Sequence, residues 1–258
     1  MTILFLGDIV GKAGREIVLS LLPGLHEEFS PDLVIANAEN AAAGLGITPP
    51  LAKTLLGGGI DVLTLGNHTW AKRDDLSFLD DPRVLRPANY PPGTPGRGFG
   101  VFRTRSGALL GVANLLGRVG MDPVDDPFRC AGEILSQIKL QTPCALIDFH
   151  AEATSEKVAM GWHVDGSASA VIGTHTHVPT ADERILPGGT AFLTDAGMCG
   201  PLDSVIGMKV ETALLRFVTG MPQRYEVAEG RAKLCGATVE IDEKTGRAQK
   251  IARIAREE

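Results

Sequence analysis

Short apolar runs recur along the chain and end on polar residues: "ILFLGD", "DLVIANAEN", "IDVLTLGNH", "LLGVANL", "CALIDFHAE", "SAVIGTHTH" and "TAFLTDAG". Each apolar part has the length of a buried strand. Between them, "REIVLSLLPGLHEEF", "PPLAKTLLGGG", "DPFRCAGEILSQIKL" and "ATSEKVAMGWHVDG" carry apolar residues three or four apart, the spacing of one helix face. Thr48 before Pro49 fits a cap and an early helical proline, with Gly57-Gly58-Gly59 closing that helix; Asp126 before Pro127 fits the same start for the next. The pattern predicts alternating strands and helices, an α/β fold. Two antiparallel hairpins are also predicted. One is "GFGVFRTRSGALLGVANL", turning at Ser106-Gly107; the other is "RAKLCGATVEIDEKTGRAQKIARIAR", turning at Glu243-Lys244-Thr245-Gly246. Pro91 to Gly98 is the most linker-like stretch, but it reads equally well as a loop inside one domain, so residues 1–258 are expected to form a single domain with mixed sheets.

Composition narrows the class. A chain of 258 residues, 44% hydrophobic, can bury a sizeable core. Aromatic residues make up only 5%, against 31 glycines and 16 prolines, which suits a turn-rich enzyme better than a stacking surface for single-stranded nucleic acid. The net charge of -6 leaves no electrostatic footprint for duplex DNA, although a bound metal can still attract phosphate locally. Cys130, Cys144, Cys199 and Cys235 show neither CxxC spacing nor the density of a disulfide scaffold and read as reduced core or near-core residues. The opening "MTILFLGDIVGKAG" has no basic leader and breaks at Gly and Asp, which fits neither a signal peptide nor a membrane span; a soluble cytoplasmic protein is expected.

In a layered α/β fold, side chains at the carboxyl ends of neighbouring strands meet in one crevice although they lie far apart in sequence. The runs above deliver Asp8, Glu39-Asn40, Asn67-His68, His150, and His175 with His177 to such ends. Each has an ordinary account alone: Asp8 as a cap for the helix starting near Gly11, Glu39 as a satisfied loop carboxylate, Asn67 as a turn former, His150 as a core histidine. Their joint occurrence argues otherwise. His68, His150, His175 and His177 follow apolar runs, whereas His26 and His163 fall in helix or turn contexts. Residues i and i+2 of an extended chain share a face, so His175 and His177 can reach one side together. Carboxylate, amide and imidazole groups form an oxygen and nitrogen donor set suited to manganese, iron or zinc, and no cysteine cluster points to a thiolate site. Two cations need a bridging anion, and Glu39 is placed to supply it, with Asp8 to one side and Asn67 to the other. Such a pair acidifies a shared water and screens phosphoryl charge during in-line attack, which is the chemistry of phosphate ester hydrolysis. His68 adjoins Asn67 and is expected to give a proton to the leaving oxygen, or else to hold Asn67 by a hydrogen bond. Asn40 either touches a metal or donates its amide to phosphate.

The segments "GDIVG", "NAEN", "GNH", "DFHAE" and "GTHTH", in this order over roughly the first 180 residues, resemble the calcineurin-like metallophosphoesterase superfamily. The whole chain, including "TDAGMCGP" at Thr194 to Pro201 and the terminal hairpin, resembles its small bacterial branch of 2′,3′-cyclic-nucleotide phosphodiesterases. The resemblance implies a four-layer α/β/β/α sandwich with mixed sheets. It places Asp8, Glu39, Asn40 and His177 around one metal and Glu39, Asn67, His150 and His175 around the other, with His68 as the acid. It implies two metal ions, iron or manganese with zinc as a third choice, and a homo-oligomer. The superfamily's Asp-x-His is replaced here by Asp8-Ile9-Val10, and its Gly-Asp-x-x-Asp by Asn37-Ala38-Glu39-Asn40, departures that fit the narrower branch. The expected activity is hydrolysis of 2′,3′-cyclic nucleotides or related small phosphodiesters. The alternatives are a phosphomonoesterase or protein phosphatase on the same centre, and a metal- and nucleotide-binding regulator without turnover. Partners are expected to be small phosphodiesters or nucleotides rather than membranes or long nucleic acids. Arg73, Arg86, Arg97 and Arg118, and the loop from Tyr90 to Gly98, are candidates for phosphate contact and for the rim of the site, set against ordinary solvated and scaffold roles.

Overall fold

The computed structural model describes residues 1–257. In chain order the first half contains β1 (Thr2–Leu6), β2 (Asp8–Ile9), α1 (Gly11–Phe29), β3 (Leu33–Asn37), α2 (Pro49–Gly57), β4 (Val62–Thr64), β5 (Val84–Leu85), β6 (Phe99–Arg103) and β7 (Leu109–Leu116). The second half contains α3 (Pro127–Ile138), β8 (Ala145–His150), α4 (Thr154–His163), β9 (Ala170–Thr174), β10 (Arg184–Ile185), β11 (Ala191–Leu193), β12 (Met198–Pro201), α5 (Val210–Thr219), β13 (Ala232–Ile241) and β14 (Ala248–Glu257). One sheet runs β2-β12-β13-β1-β3-β4-β5 with β14 paired to β13, and the other runs β10-β11-β9-β8-β7-β6. Both are mixed: β1, β3, β4 and β5 are parallel while β13 is antiparallel to β1, and β7, β8, β9 and β11 are parallel while β6 and β10 are antiparallel edges.

The continuous apolar runs have a simple cause: parallel strands are covered on both faces. Alternate residues of each strand go to different layers. Ile3, Phe5, Leu33 and Ile35 of the first sheet pack with Leu110, Val112, Leu146 and Ile172 of the second. Their neighbours Leu4, Leu6, Val34 and Ala36 pack outward against Ile17, Val18 and Leu22 of α1 and Leu55 of α2. On the far side Ala113, Ile147, Phe149 and Val171 meet Ile134 and Ile138 of α3 and Met160 of α4. The layers are therefore α/β/β/α, as the resemblance implied.

Local signals agree with the structure in most places. Asp126 accepts from Phe128 N and Arg129 N at the start of α3, and both hairpins form, with positive φ at Gly107 and Gly246 in their turns. Thr48 sits at the start of α2 but makes no side-chain cap bond, so Pro49 alone marks that end. Asp8 does not cap α1, whose N-terminal flank is Val10 without a side-chain bond. The proline-rich stretch is tied into the body by Arg86, whose guanidinium donates to Pro87 O, Thr94 O and Pro95 O. Arg86 is thus a scaffold residue with its donors spent on backbone. The four cysteines are free thiols, and all but Cys130 are buried.

Candidate metal centre

Asp8 opens β2, Glu39 lies two residues beyond the end of β3, Asn67 follows β4, His150 ends β8, and His175 directly follows β9. These ends gather the predicted residues into one buried crevice between the two sheets. The tightest group is Glu39, His150 and His175, whose donor atoms lie within 4.8 Å of one another. His150 Nε2 is at its middle, 3.1 Å from Glu39 Oε1, 3.0 Å from Asn67 Oδ1 and 3.1 Å from His175 Nδ1. Three side chains of mixed oxygen and nitrogen type thus converge, with the Asn67 amide oxygen beside them. A second group lies beside it. Asn40 Nδ2 is 3.1 Å from His177 Nε2 and 3.3 Å from Glu39 Oε1, and Asp8 Oδ1 is 3.8 Å from His177 Nε2.

Asp8 gives the clearest sign of a site suited to a cation. Its Oδ2 accepts from His175 N at 3.1 Å, but Oδ1 is buried with no hydrogen-bond partner. A buried, unsatisfied carboxylate oxygen is costly unless a cation meets it. Burial raises the Asp8 pKa, against the pull of His177 and His150. Burial also opposes ionisation of Glu39, but His150 and His68 outweigh it and hold that carboxyl well below the usual range. At His150 burial works against the imidazolium, yet Glu39, Asp8 and Asp148 prevail and raise its pKa to about 9. Burial and the charge of His150 push His175 down to about 3. Two buried carboxylates, Asp8 and Glu39, thus stand among imidazole and amide groups, and this oxygen and nitrogen donor set fits a metal ion.

Side chains behind the donor cluster fix its orientation, and these were not read from the sequence. Thr174 Oγ1 donates to Asp148 Oδ1 at 2.7 Å, so its oxygen is left to accept from His150 Nδ1 at 2.9 Å, which turns Nε2 toward Glu39 and Asn67, the nitrogen that a neutral ring would offer to a metal. Asn37 Oδ1 accepts from Glu39 N at 3.1 Å, and its amide donates to Leu65 O and Asp148 Oδ2. Glu152 Oε2 lies 3.1 Å from His175 Nε2 and leaves Nδ1 for the centre. His177 Nδ1 donates to Ile206 O at 2.8 Å, which leaves Nε2 for Asp8 and Asn40. A polar residue inside an apolar run, as in "LVIAN" and "ALIDFH", is the signal that points to Asn37 and Asp148.

His175 and His177 stand at positive φ, 101° and 65°, so the chain bends sharply rather than continuing as a strand, and both rings reach the centre by that bend. Asp195 holds the bend. Its carboxylate accepts from Thr176 N, Thr176 Oγ1 and Gly197 N and pairs at 2.6 Å with Lys157 of α4, both side chains being buried. His68 lies at the rim, its Nδ1 2.7 Å from Asn40 Oδ1 and 3.1 Å from Glu39 Oε1. It therefore holds Asn40 and not Asn67. Asn40 turns its amide nitrogen toward Glu39 and His177, the orientation of a donor; ligation through its oxygen needs the opposite amide setting. His26 lies on α1, and His163 at the end of α4 makes its contact with Phe128 O, away from this centre. A cavity of about 350 Å³ opens over Glu39, Asn40, His68, His175 and His177. Neither the four arginines weighed above nor the Tyr90 to Gly98 loop line it.

The chain is 51% identical to a 2′,3′-cyclic-nucleotide 2′-phosphodiesterase of Bacillus subtilis (strain 168), over 98% of this chain and 96% of that protein. A solved structure of a hypothetical protein from Thermus thermophilus superposes with a TM-score of 0.93 at 43% identity, covering 100% of both chains. A structure described as a novel phosphatase from Mycoplasma pneumoniae superposes with a TM-score of 0.93 at 37% identity, covering 100% of this chain and 93% of that one. The sequence profile of the YmdB-like proteins matches residues 4–254. With that profile spanning nearly all of the chain, and half of its residues shared with a relative matched over nearly its whole length, the chain belongs to the YmdB-like family of calcineurin-like metallophosphoesterases.

Proposed function

We propose that this metal-dependent hydrolase is a dinuclear phosphodiesterase acting on 2′,3′-cyclic nucleotides or related small phosphodiesters. The observation that carries the reading is the Glu39-His150-His175 cluster, its first two members buried, standing beside the unpartnered Asp8 Oδ1. One ion would be held by Glu39, Asn67, His150 and His175, the other by Asp8, Glu39, His177 and, through its amide oxygen, Asn40. Iron or manganese suits this nitrogen and oxygen set, with zinc as a third choice. When bound, such ions supply Lewis acidity at the phosphoryl oxygens and a water of lowered pKa.

The chain's own groups do the rest. Glu39 sits between the two donor groups and keeps them at a fixed separation. Asn40 offers an N–H to a phosphoryl oxygen. In the amide setting that would turn the Asn40 oxygen to the ion, Asn40 Nδ2 faces His68 Nδ1 and donates to it, so the ring proton stands on Nε2, the nitrogen that hands it to the ester oxygen as its bond to phosphorus breaks and the water oxygen bonds in its place. Atoms balance: one water is consumed and a monoester with a free hydroxyl results. No lysine or arginine lines the cavity, which suits the single charge of a diester better than the double charge of a monoester. The similar Bacillus subtilis protein is described as a 2′,3′-cyclic-nucleotide 2′-phosphodiesterase, which supports the same substrate class. We also place the protein in a reducing cytoplasm, on its four unpaired cysteines. No helix among the described residues is long and apolar enough to cross a membrane. Self-association, implied by the family resemblance, is read by light scattering on the same preparations.

The test is a panel of 2′,3′-cyclic nucleotides, an activated diester and phosphomonoesters, assayed after reconstitution with iron, manganese or zinc. The reading requires about two metals per chain and a preference for diesters. Full activity in metal-free protein, or turnover confined to monoesters, would overturn it.

A further inference from the structure

The cavity over the metal-ligand cluster has a second wall that the hydrolytic chemistry leaves without a task. It is made by Val205, Ile206 and Met208, by Ala213 and Phe217 of α5, and by Tyr225. The wall is tied to the centre and to itself. Ile206 O accepts from His177 Nδ1, and Lys209 at the foot of α5 pairs with Glu226 at 2.6 Å. Met208 bridges Val227, and the Arg216 guanidinium lies 5.1 Å from the centre of the Tyr225 ring. Phe217 and Tyr225 are nevertheless exposed, although large aromatic side chains are ordinarily buried. Around this wall the polar lining residues outside the proposed ligands and His68 are Glu152 and Thr176.

We infer that this wall is the base subsite of a nucleotide ester, with Phe217 and Tyr225 presenting ring faces and Ile206 and Met208 forming the floor. The inference rests on the phosphodiesterase reading, which puts phosphorus at the Glu39-His150-His175 end of the same cavity. Whatever covers the wall is then attached to that phosphorus and fits about 350 Å³, near the low end of the roughly 300–1,000 Å³ of small-ligand pockets. A flat heterocycle on a ribose meets both conditions. A longer polyanion does not, because Glu152 is the charged side chain on the open side and no lysine or arginine answers further phosphates. The Arg216 guanidinium is taken up by the Tyr225 ring and does not line the cavity, and the wall offers no side-chain amide to read a base edge, so recognition is by stacking and area, and Met208 adapts to rings of different outline. Purines are therefore favoured over pyrimidines by a small factor, with little discrimination within each class.

The test compares 2′,3′-cyclic AMP with 1-O-methylribose 2′,3′-cyclic phosphate, which has no base, in the metal-loaded protein and in Phe217→Ala, Phe217→Tyr and Tyr225→Ala. The ratio of kcat/KM for the two esters is expected to fall about 5- to 100-fold in Phe217→Ala and Tyr225→Ala, through KM, and to be recovered in Phe217→Tyr. Saturation-transfer spectra of adenosine 3′-monophosphate supply a second readout, with strongest transfer to the base protons and its loss in Phe217→Ala. Equal loss on both esters, or an unchanged ratio, overturns the inference. So does a change of molecular mass in Phe217→Ala without a change in KM, which assigns the face to contact between copies. If the unaltered protein hydrolyses neither cyclic ester, the phosphodiesterase reading fails, while the transfer spectra still decide whether the wall holds a base.

Discussion

Gly66 has no side chain because its neighbours occupy the space that one needs. A Cβ there would stand 2.3 Å from Glu39 Oε2 and 2.4 Å from His150 Nε2, both held by buried networks that cannot give way cheaply. Gly66→Ala is therefore expected to cost most of the bound metal while the fold persists, read by elemental analysis beside circular dichroism; full metal content would show that Glu39 and His150 are free to move. His68→Ala should do the reverse. Its ring lies at the rim and is proposed to give up a proton from Nε2, so turnover should fall about 10²- to 10⁴-fold with metal content kept. A parallel loss of metal would make His68 a holder of Asn40 and Glu39 instead. The residues legible in the sequence were those whose chemistry stands at the end of an apolar run: Asp8, Glu39, Asn67, His150, His175 and His177. Asn37, Asp148 and Thr174 lie within such runs, and the pairing of Asp148 with Asn37 across the two sheets and with Thr174 on the neighbouring strand depends on contacts that no local spacing encodes.

At the scale of the element, the bend after β9 shows how a sequence motif becomes a geometry. Gly173 permits the approach of Thr194 O, 1.8 Å from where a Cβ would lie, and the two histidines that follow adopt positive φ. Non-glycine residues in that region cost of order 1–3 kcal/mol each and need surrounding structure to hold them. Asp195 meets that need through Thr176 and is in turn satisfied by Lys157. Asp195→Ala leaves the Lys157 ammonium buried without a partner, and loss of one member of a buried pair destabilises by about 3–5 kcal/mol. A shift of the denaturation midpoint of that size, with weaker metal retention than in Lys157→Met/Asp195→Ala, is expected; an unchanged midpoint would mean that the bend is held by other contacts. Helices α1 to α4 were legible because each turns one apolar face to a sheet. Helix α5 carries the same spacing at Val210, Ala213, Leu214 and Phe217 but does not turn it to a sheet: Ala213 is the buried position, and Leu214 and Phe217 are exposed. Strands of two residues, β2, β5 and β10, are too short for any alternation to register.

For the whole molecule, the runs announced strands covered on both faces, but not that β1 lies between β3 and β13, whose register pairs Thr2 with Glu240. That neighbour arrives late in the chain and no local pattern foretells it. The resulting layout places the proposed ligands on two different sheets: Asp8, Glu39 and Asn67 extend from the first, His150, His175 and His177 from the second. An ion held between them acts as a cross-link through the central layers, and its binding energy adds to the stability of the folded chain. At a free metal concentration 100-fold above the dissociation constant this amounts to about 2.7 kcal/mol. For chains of about 150–250 residues each kcal/mol moves Tm by roughly 2–4 °C, so chelation should lower Tm by about 5–11 °C. We propose that residues 1–258 form one cooperative domain, in which case calorimetry shows a single transition that moves as a whole. Two transitions of which one responds would divide the chain into separate units. The triple variant His150→Ala/His175→Ala/His177→Ala supplies the control: with every proposed ligand from the second sheet removed, the cross-link is broken, and the chelator should leave the midpoint almost where it was.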